Sequence, residues 1–264
     1  MKTELEKCIE AIASNKKNLE KDLIFLVKGK KKIKTGLYFG KNVKKEPNVF
    51  FDTSGGLILV DDNTVIKSNS VLRGPLLIGK NCVINSHAHI SSSRIGDVCK
   101  IGGEVENTIM QNYSNKQHYG YIGHSYIGSW VNIGGGTSIA TLKNTYSKIT
   151  MAGISTGLQF LGCVIGDYSK TAINTSIFCG KVIGVSSHLY GLVTEDVPSF
   201  VSYLGKGNVY ELPLELAKKI QTTLAGRRGI KFNKKDSRLF DKLFAQTAGE
   251  RKKLKVKKGK LKFK

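Results

Sequence analysis

Aliphatic residues recur every six positions through the middle of the chain, with occasional slips of one residue. A glycine follows the aliphatic residue at about half of these positions, and a small residue often stands two positions before it. Six residues suit one short strand and one turn, whereas an amphipathic helix needs a period near 3.6. The recurring positions are Ile66, Leu72, Ile78, Ile84, Ile90, Ile95, Ile101, Ile122, Ile127, Ile133, Ile165, Thr171, Ile177, Ile183 and Leu189.

Three such units close one triangular coil, whose inward aliphatic residues stack on those of the next coil. The pattern therefore predicts a parallel β-helix. The left-handed form is typical of this motif, although right-handed crossovers are the general rule. Cys82, Cys99 and Cys163 fall on the small corner position, where a thiol behaves as a small hydrophobic group. Residues 106–121 and about 138–160 break the period, and we expect loops there.

The two ends of the chain have a helical pattern instead. Thr3 and Glu6 form a capping-box motif before one apolar run, and a second helical piece is expected from Leu19. Near the other end, Pro213 and Gly226 suit the start and the stop of a helix, and another amphipathic run follows it. The sequence thus predicts a mainly β protein with short helical extensions at both ends.

Charge divides the chain at the same places. Of the net charge of +22, residues 1–48 carry +7, residues 49–204 carry +1 and residues 205–264 carry +14. We therefore expect a basic helical N-terminal arm (1–48), the left-handed β-helix (49–204) and a basic helical C-terminal extension with a Lys-rich tail (205–264). That tail favours an anionic partner such as nucleic acid, acidic lipid or an acidic protein, but a solvated, disordered tail fits it as well.

The composition of the chain limits its class. With 264 residues and 40% apolar residues it can build a substantial core. No apolar run approaches the length of a membrane span, and the first residues alternate in charge where a signal peptide needs an apolar stretch. The five cysteines include no Cys-x-x-Cys pair, which suits a reducing compartment. The sequence therefore predicts a cytoplasmic protein without a membrane span.

One segment combines the polar residues of a possible active site. It runs from Ile101-Gly-Gly-Glu104 through His118-Tyr-Gly-Tyr121 to Asn132-Ile-Gly-Gly-Gly136-Thr137. A histidine can take a proton from an amine or hydroxyl nucleophile near neutral pH, and a carboxylate can hold its tautomer. Glycine backbone can approach a thioester closely and donate N–H groups to an oxyanion.

This segment resembles the C-terminal domain of the bifunctional N-acetylglucosamine-1-phosphate uridyltransferase/glucosamine-1-phosphate acetyltransferases, and related sugar nucleotidyltransferase-like proteins. The resemblance covers roughly residues 66–200. It implies a hexapeptide-repeat acyltransferase in which His118 is the general base and Glu104 orients it. It further implies that Tyr121 and Asn132 contact a sugar acceptor. Acetyl-CoA would be the cosubstrate, bound along Gly134, Gly135 and Gly136 between neighbouring chains of a homotrimer.

The chain also departs from that family. An Arg and a Lys that hold the sugar-phosphate group there fall on Ala88 and Glu106, and an Asn-Tyr pair falls on Thr141-Leu142. Phosphorylated glucosamine is therefore a doubtful acceptor. Residues 1–48 cannot hold a nucleotide-binding fold, so uridyl transfer is not expected.

Other interpretations of these residues also stay open at the level of sequence. His118 can be a loop histidine without a catalytic role, and Gly134–Gly136 can be an ordinary corner of the repeat. His87 and His89 lie two positions apart, but a metal site needs a third ligand, so no metal is predicted. The alternative function is a non-catalytic trimeric scaffold, or a sugar-nucleotide-binding protein, whose basic tails bind an anionic partner.

Overall fold

The structure is a computed structural model that describes residues 2–259. Most of it is a solenoid of very short strands, preceded by one helix and followed by three. The helices are α1 (Glu4–Leu26), α2 (Leu214–Gly226), α3 (Lys234–Gln246) and α4 (Ala248–Lys253). The strands are β1 (Lys31–Lys34), β2 (Leu37–Phe39), β3 (Lys44–Lys45), β4 (Phe50–Asp52), β5 (Ile58–Val60), β6 (Val65–Ile66), β7 (Val71–Arg73), β8 (Leu76–Ile78), β9 (Val83–Ile84), β10 (His89–Ser91), β11 (Arg94–Ile95), β12 (Lys100–Ile101), β13 (Glu104–Glu106), β14 (Ile109–Met110), β15 (Asn115–Lys116), β16 (Tyr121–Gly123), β17 (Tyr126–Ile127), β18 (Ser138–Ile139), β19 (Thr150–Met151), β20 (Ile154–Ser155), β21 (Cys163–Ile165), β22 (Lys170–Thr171), β23 (Ser176–Ile177), β24 (Lys181–Ile183), β25 (His188–Leu189), β26 (Leu192–Val193), β27 (Val201–Tyr203) and β28 (Val209–Glu211).

Every third strand joins the same parallel sheet, which gives the solenoid three faces. Face A is the order β2-β5-β8-β11-β14-β17-β21-β24. Face B is β3-β6-β9-β12-β15, continued through a bridge at Asn132 to β22-β25-β27. Face C is β4-β7-β10-β13-β16, followed by β18-β23-β26. The predicted parallel β-helix is confirmed, and its parallel ladder begins at Leu37, where β2 pairs with β5.

The predicted six-residue series forms the core of this solenoid. Its members face inward and are buried, and equivalent members of successive coils pair in register, as Ile84 does with Ile101. Cys82, Cys99 and Cys163 are buried free thiols at the corners, as predicted. Burying the aliphatic series stabilises the fold by roughly 2 kcal/mol per side chain.

The first predicted interruption is wrong. Residues 106–121 do not leave the solenoid, since β14 and β15 pair in register with the coils on either side. The second interruption is present: the chain leaves the coil after β18 and returns at β21, with the β19–β20 hairpin between them. The first prediction failed because a lysine, Lys116, occupies an inward position where an aliphatic residue was expected.

A single helix covers face A, where two helical pieces were expected. The capping box of Thr3 and Glu6 is present, and α1 continues without a break because its middle contains no glycine or proline. Leu19 and Leu23 are fully buried against face A. Asn15 is buried as well, and its amide donates to the Ser92 carbonyl at 2.8 Å, which ties the middle of the helix to a corner of the solenoid.

The C-terminal helices lie against the last coils and against face B. Pro213 precedes α2 and Gly226 is its final residue, as the sequence predicted. Arg251 of α4 is buried: its guanidinium lies over the Phe244 ring at 3.9 Å and donates to the Phe244 carbonyl at 2.8 Å. The first part of the predicted Lys-rich tail is therefore structural, and residues 260–264 lie outside the described residues.

Candidate active site at the corner of faces B and C

His118 lies at the corner where the chain turns from face B into face C. It follows β15, precedes β16, and its side chain is exposed. Within residues 2–259 the imidazole has no hydrogen-bond partner, and the carbonyl of His118 accepts a hydrogen bond from the Lys116 ammonium at 2.9 Å. The backbone of this corner is thus fixed while the imidazole is free to meet a ligand.

The three predicted glycines lie on the next coil, beside this histidine. Gly135 is the nearest of them: a Cβ placed there would lie 3.2 Å from the His118 Cβ. The N–H of Gly134 already donates to Thr171 Oγ1 at 2.9 Å, and the N–H of Gly136 donates to the Tyr119 carbonyl at 2.9 Å. Of the three, only the Gly135 N–H lacks a partner within the described chain, so it is the one available to an oxyanion.

Glu104 and Tyr121 are neighbours on face C. They pair in register across β13 and β16, and Glu104 pairs on its other side with His89 of β10. The Tyr121 hydroxyl donates to Glu106 at 3.1 Å, and burial raises the pKa of Tyr121 to about 12. No hydrogen bond joins Glu104 to His118 within the described residues. Face C therefore presents two carboxylates and a tyrosine beside the His118 corner.

Asn132 lies on face B, on the other side of the same corner. Its amide oxygen accepts from Asn115 at 3.4 Å, and its backbone bridges Asn115 and Lys170. Asn132 also lines a cavity of about 380 Å³ between face B and α2. The predicted site residues thus form two groups, Glu104 with Tyr121 on face C and Asn132 on face B, and His118 with Gly135 lies between them.

Lys116, which sequence reasoning missed, is the buried residue behind the corner. Its side chain is 1% exposed and occupies the inward position between Ile101 and Ile133. The ammonium donates to the carbonyls of Gly102 at 2.7 Å and His118 at 2.9 Å. Burial lowers the pKa of Lys116 to about 8, and the charge of Glu104 opposes that shift.

A glycine makes room for this ammonium. The corner position that carries Ser70, Ala88 or Thr137 in other coils is Gly103 in the coil before His118. A Cβ on Gly103 would lie 2.7 Å from Lys116 Nζ and 2.8 Å from the His118 carbonyl oxygen. Gly120 takes the same corner in the next coil, and its carbonyl would lie 2.9 Å from that Cβ. Lys116 and Gly103 are therefore one structural unit.

Two of the positions that depart from the resembled family, Ala88 and Glu106, lie in different environments. Ala88 is 1% exposed inside the solenoid, so its side chain meets no ligand. Glu106 is partly exposed on face C beside the Tyr121 hydroxyl.

His87 is exposed on the corner two coils before His118. Within residues 2–259 no group of three or more His, Cys, Asp or Glu side chains could hold a metal ion, and no helix is long and apolar enough to cross a membrane.

The chain is similar to curated bifunctional enzymes over about half of its length. It is 30% identical over 145 residues to the bifunctional protein GlmU of Picosynechococcus, a match that covers 52% of this chain and 29% of that protein. It is 33% identical over 151 residues to the bifunctional sugar-1-phosphate nucleotidylyltransferase/acetyltransferase of Sulfurisphaera tokodaii, covering 54% of this chain and 38% of that protein. The match thus spans only about a third of the length of these relatives.

The chain was also compared with solved structures. The UDP-N-acetylglucosamine acyltransferase of Francisella novicida aligns over 82% of this chain and 88% of its own, with 18% identity and a TM-score of 0.43. No protein-family model matches the chain. The curated relatives confirm the resemblance that the sequence indicates, to the hexapeptide-repeat acyltransferases and to the bifunctional nucleotidyltransferase/acetyltransferases among them.

Proposed function

We propose that the protein transfers an acyl group, acetyl in the first instance, from acyl-CoA to an amino sugar or to the sugar of a sugar nucleotide. One observation carries the proposal: at a corner of the solenoid, an exposed imidazole stands against a glycine N–H, and neither has a hydrogen-bond partner among residues 2–259. His118 and Gly135 have this arrangement. A base and an oxyanion donor side by side are what acyl transfer from a thioester requires.

The proposed reaction uses two groups of the protein, the imidazole of His118 and the N–H of Gly135. The imidazole of His118 takes a proton from the acceptor amine as the nitrogen attacks the thioester carbonyl. The N–H of Gly135 donates to the carbonyl oxygen, which becomes negative in the tetrahedral intermediate. The C–N bond is formed, the C–S bond breaks, and the proton held by His118 passes to the leaving sulfur to give the free thiol of coenzyme A.

Face C favours an acceptor that carries an amine. Glu104 and Glu106 place negative charge beside the corner, which attracts an ammonium group and disfavours a phosphate there. The Tyr121 hydroxyl, whose pKa is about 12, stays protonated at neutral pH, donates to Glu106 and can accept a hydrogen bond from a sugar hydroxyl. We therefore place the sugar against face C, with Glu104 orienting the acceptor or, in the complex, the imidazole.

The proposed assembly is a homotrimer. α1 covers face A and α2 lies over part of face B, whereas no helix of the described chain covers face C. A second protomer that packs against face C and its corners would enclose the His118 corner and exclude water from it.

The test is the release of free thiol from acetyl-CoA with a panel of amino sugars and sugar nucleotides. With an accepted sugar, His118→Asn should lower kcat at least about 100-fold, because the general base is lost. The matched control is His87→Asn, the same substitution at an exposed corner two coils away, and it should keep the wild-type rate. The proposal fails if no acceptor in the panel is acylated, or if His118→Asn keeps full activity.

A second candidate function rests on charge. Residues 205–264 carry a net charge of +14, and the solenoid between the basic ends is nearly neutral. A non-catalytic scaffold that presents basic tails to an anionic partner, or one that binds a sugar nucleotide without turnover, would use this asymmetry. Catalysis and polyanion binding involve different parts of the chain, so separate variants distinguish them.

A further inference from the structure

A group of cations on face B and at the end of α2 lacks acidic partners. Lys100 and Lys170 project from face B, and Lys219, Arg227 and Arg228 come from α2 and the residues after it. No ion pair of these five side chains exists among residues 2–259. By contrast, the adjacent Lys218 of α2 forms ion pairs with Asp241 at 2.7 Å and with Glu215 at 3.0 Å.

The cations are also short of hydrogen-bond acceptors. The Lys170 ammonium donates to one group, the Tyr168 carbonyl at 2.9 Å. Arg228 donates from Nη2 to Asn115 Oδ1 at 2.7 Å, while its buried Nε has no partner in the described chain. Buried donors without acceptors cost free energy, and the Lys170 ammonium, which lines the cavity, would gain a strong bond from an anion.

The charges repel one another in this arrangement. Burial lowers the pKa of Lys100, and Arg228, Arg227 and Lys67 lower it further. The pKa of Arg228 is likewise lowered, first by burial and then by Arg227. Burial alone lowers the pKa of Lys170 to about 8. An anion placed among them would relieve both the repulsion and the desolvation.

The space beside these cations is a partly open cavity between face B and α2. It has a volume of about 380 Å³, and its walls include Lys170, Lys219 and Arg227 together with Leu216, Ile220 and Leu224 of α2. That volume is in the range of small-molecule sites. A wall of leucine and isoleucine suits the organic part of a ligand, whereas a flat nucleic-acid surface would leave these side chains without a role.

We propose that the cavity between face B and α2 binds the phosphate groups of a small phosphorylated organic ligand, with a diphosphate as the best match. Lys170 on the face B side and Lys219 and Arg227 on the α2 side can share the oxygens of two phosphates. Coenzyme A and sugar nucleotides both contain a diphosphate, and this is the chemistry the site recognises. The site is separate from the His118 corner and touches the proposed acyl-transfer site through Asn132 alone, so it does not depend on acyl transfer.

The experiment is calorimetric titration of the full chain with inorganic pyrophosphate. Lys219→Gln and Arg227→Gln should each weaken binding at least about tenfold, because each removes a charge-assisted hydrogen bond. Lys218→Gln is the matched control, since it removes the same charge from the neighbouring position of α2, and it should change the affinity less than twofold. Titrations of coenzyme A and of a uridine diphosphate sugar then show by relative affinity which source the site prefers.

Three results would overturn the proposal. Wild-type protein that does not bind millimolar pyrophosphate excludes the site. Equal weakening by all three substitutions means that only the overall positive charge attracts the probe. Duplex DNA that binds tighter than pyrophosphate and depends on the same Lys219 and Arg227 would make the cavity part of a nucleic-acid surface. None of these results bears on His118, so the proposed acyl transfer is tested separately.

Discussion

At the scale of single residues, Lys116 couples the core of the solenoid to its exterior. Its ammonium is inside the coil and bonds the carbonyl of His118, whose imidazole is outside. A lysine in this position has a cost, because a buried charge loses its hydration. The carbonyls of Gly102 and His118 offset part of that cost, and they hold the corner in one conformation.

The pKa of Lys116 predicts how stability depends on pH. In the folded chain that pKa is about 8, below its ordinary value of 10.5, so between these pH values the unfolded chain binds more protons. Stability contributed through Lys116 should therefore rise as the pH rises from about 8 to 10.5, by up to roughly 3 kcal/mol.

Lys116→Met removes this pH dependence and supplies the apolar residue that other coils carry. Urea unfolding of the wild type and of Lys116→Met at pH 7 and pH 10 measures this pH dependence. The wild type should gain unfolding free energy relative to Lys116→Met at the higher pH. A Lys170→Met variant serves as the comparison, because the pKa of Lys170 is also about 8 but its ammonium faces the α2 cavity. A difference between wild type and Lys116→Met that stays constant with pH would contradict the prediction.

Lys116 also shows what the sequence could and could not predict. The six-residue spacing runs through Met110, Lys116 and Ile122 without a break, so the signal for a coil was present. A lysine at an inward position does not fit the aliphatic series, because lysine is almost never fully buried. Burial is possible because Gly103 on the neighbouring coil leaves space for the ammonium, and no local sequence rule connects residues that only the fold brings together.

At the scale of elements, a corner of the solenoid has less room for an added side chain than a loop that leaves the solenoid. Gly103 and Gly153 both have positive φ, at 65° and 83°. A Cβ on Gly103 would meet the Lys116 ammonium and two carbonyls within 2.9 Å, whereas a Cβ on Gly153, between β19 and β20, would meet nothing within 4 Å. The two positions therefore separate backbone strain from packing.

Gly153→Ala should cost about 1–2 kcal/mol of unfolding free energy, from the left-handed backbone alone. Gly103→Ala should cost at least about 2 kcal/mol more, because the methyl group displaces Lys116 or the His118 carbonyl. Urea unfolding of both variants gives the comparison. Equal costs would mean that the corner has room, and the account of Gly103 as the space for Lys116 would be wrong.

The faces of the solenoid explain why the candidate site could be predicted only in part. The offsets of Glu104, His118, Tyr121 and Asn132 along the chain are those of the resembled family, and the fold places all four on or beside one corner. Whether each of these residues lies on the face B side or the face C side of the corner depends on the register of strands that are only two or three residues long. Sequence spacing alone does not show that Asn132 faces α2 and its cavity.

At the scale of the whole molecule, the basic C-terminal extension is partly structural. Glu211 and Val209 of β28 exchange backbone hydrogen bonds with Lys257, and the Glu250 carboxylate accepts from the Ser199 N–H at 2.8 Å. A deletion from position 250 would therefore remove parts of the fold together with the charge. A deletion of residues 260–264 leaves every described contact in place and still removes three lysines.

That deletion distinguishes the two candidate functions. If the tail binds polyanions, the affinity for duplex DNA of unrelated sequence should fall, and the slope of log affinity against log salt should decrease by up to about 2.7, since each phosphate contact contributes about 0.9. Fluorescence anisotropy at several salt concentrations measures both quantities. Acyl transfer should keep its wild-type rate in the same variant, because the proposed reaction uses His118 and Gly135 and none of the deleted lysines. Replacing the three lysines by glutamine in the full-length chain separates charge from length, and full DNA affinity in that variant would eliminate the tail as the polyanion-binding element.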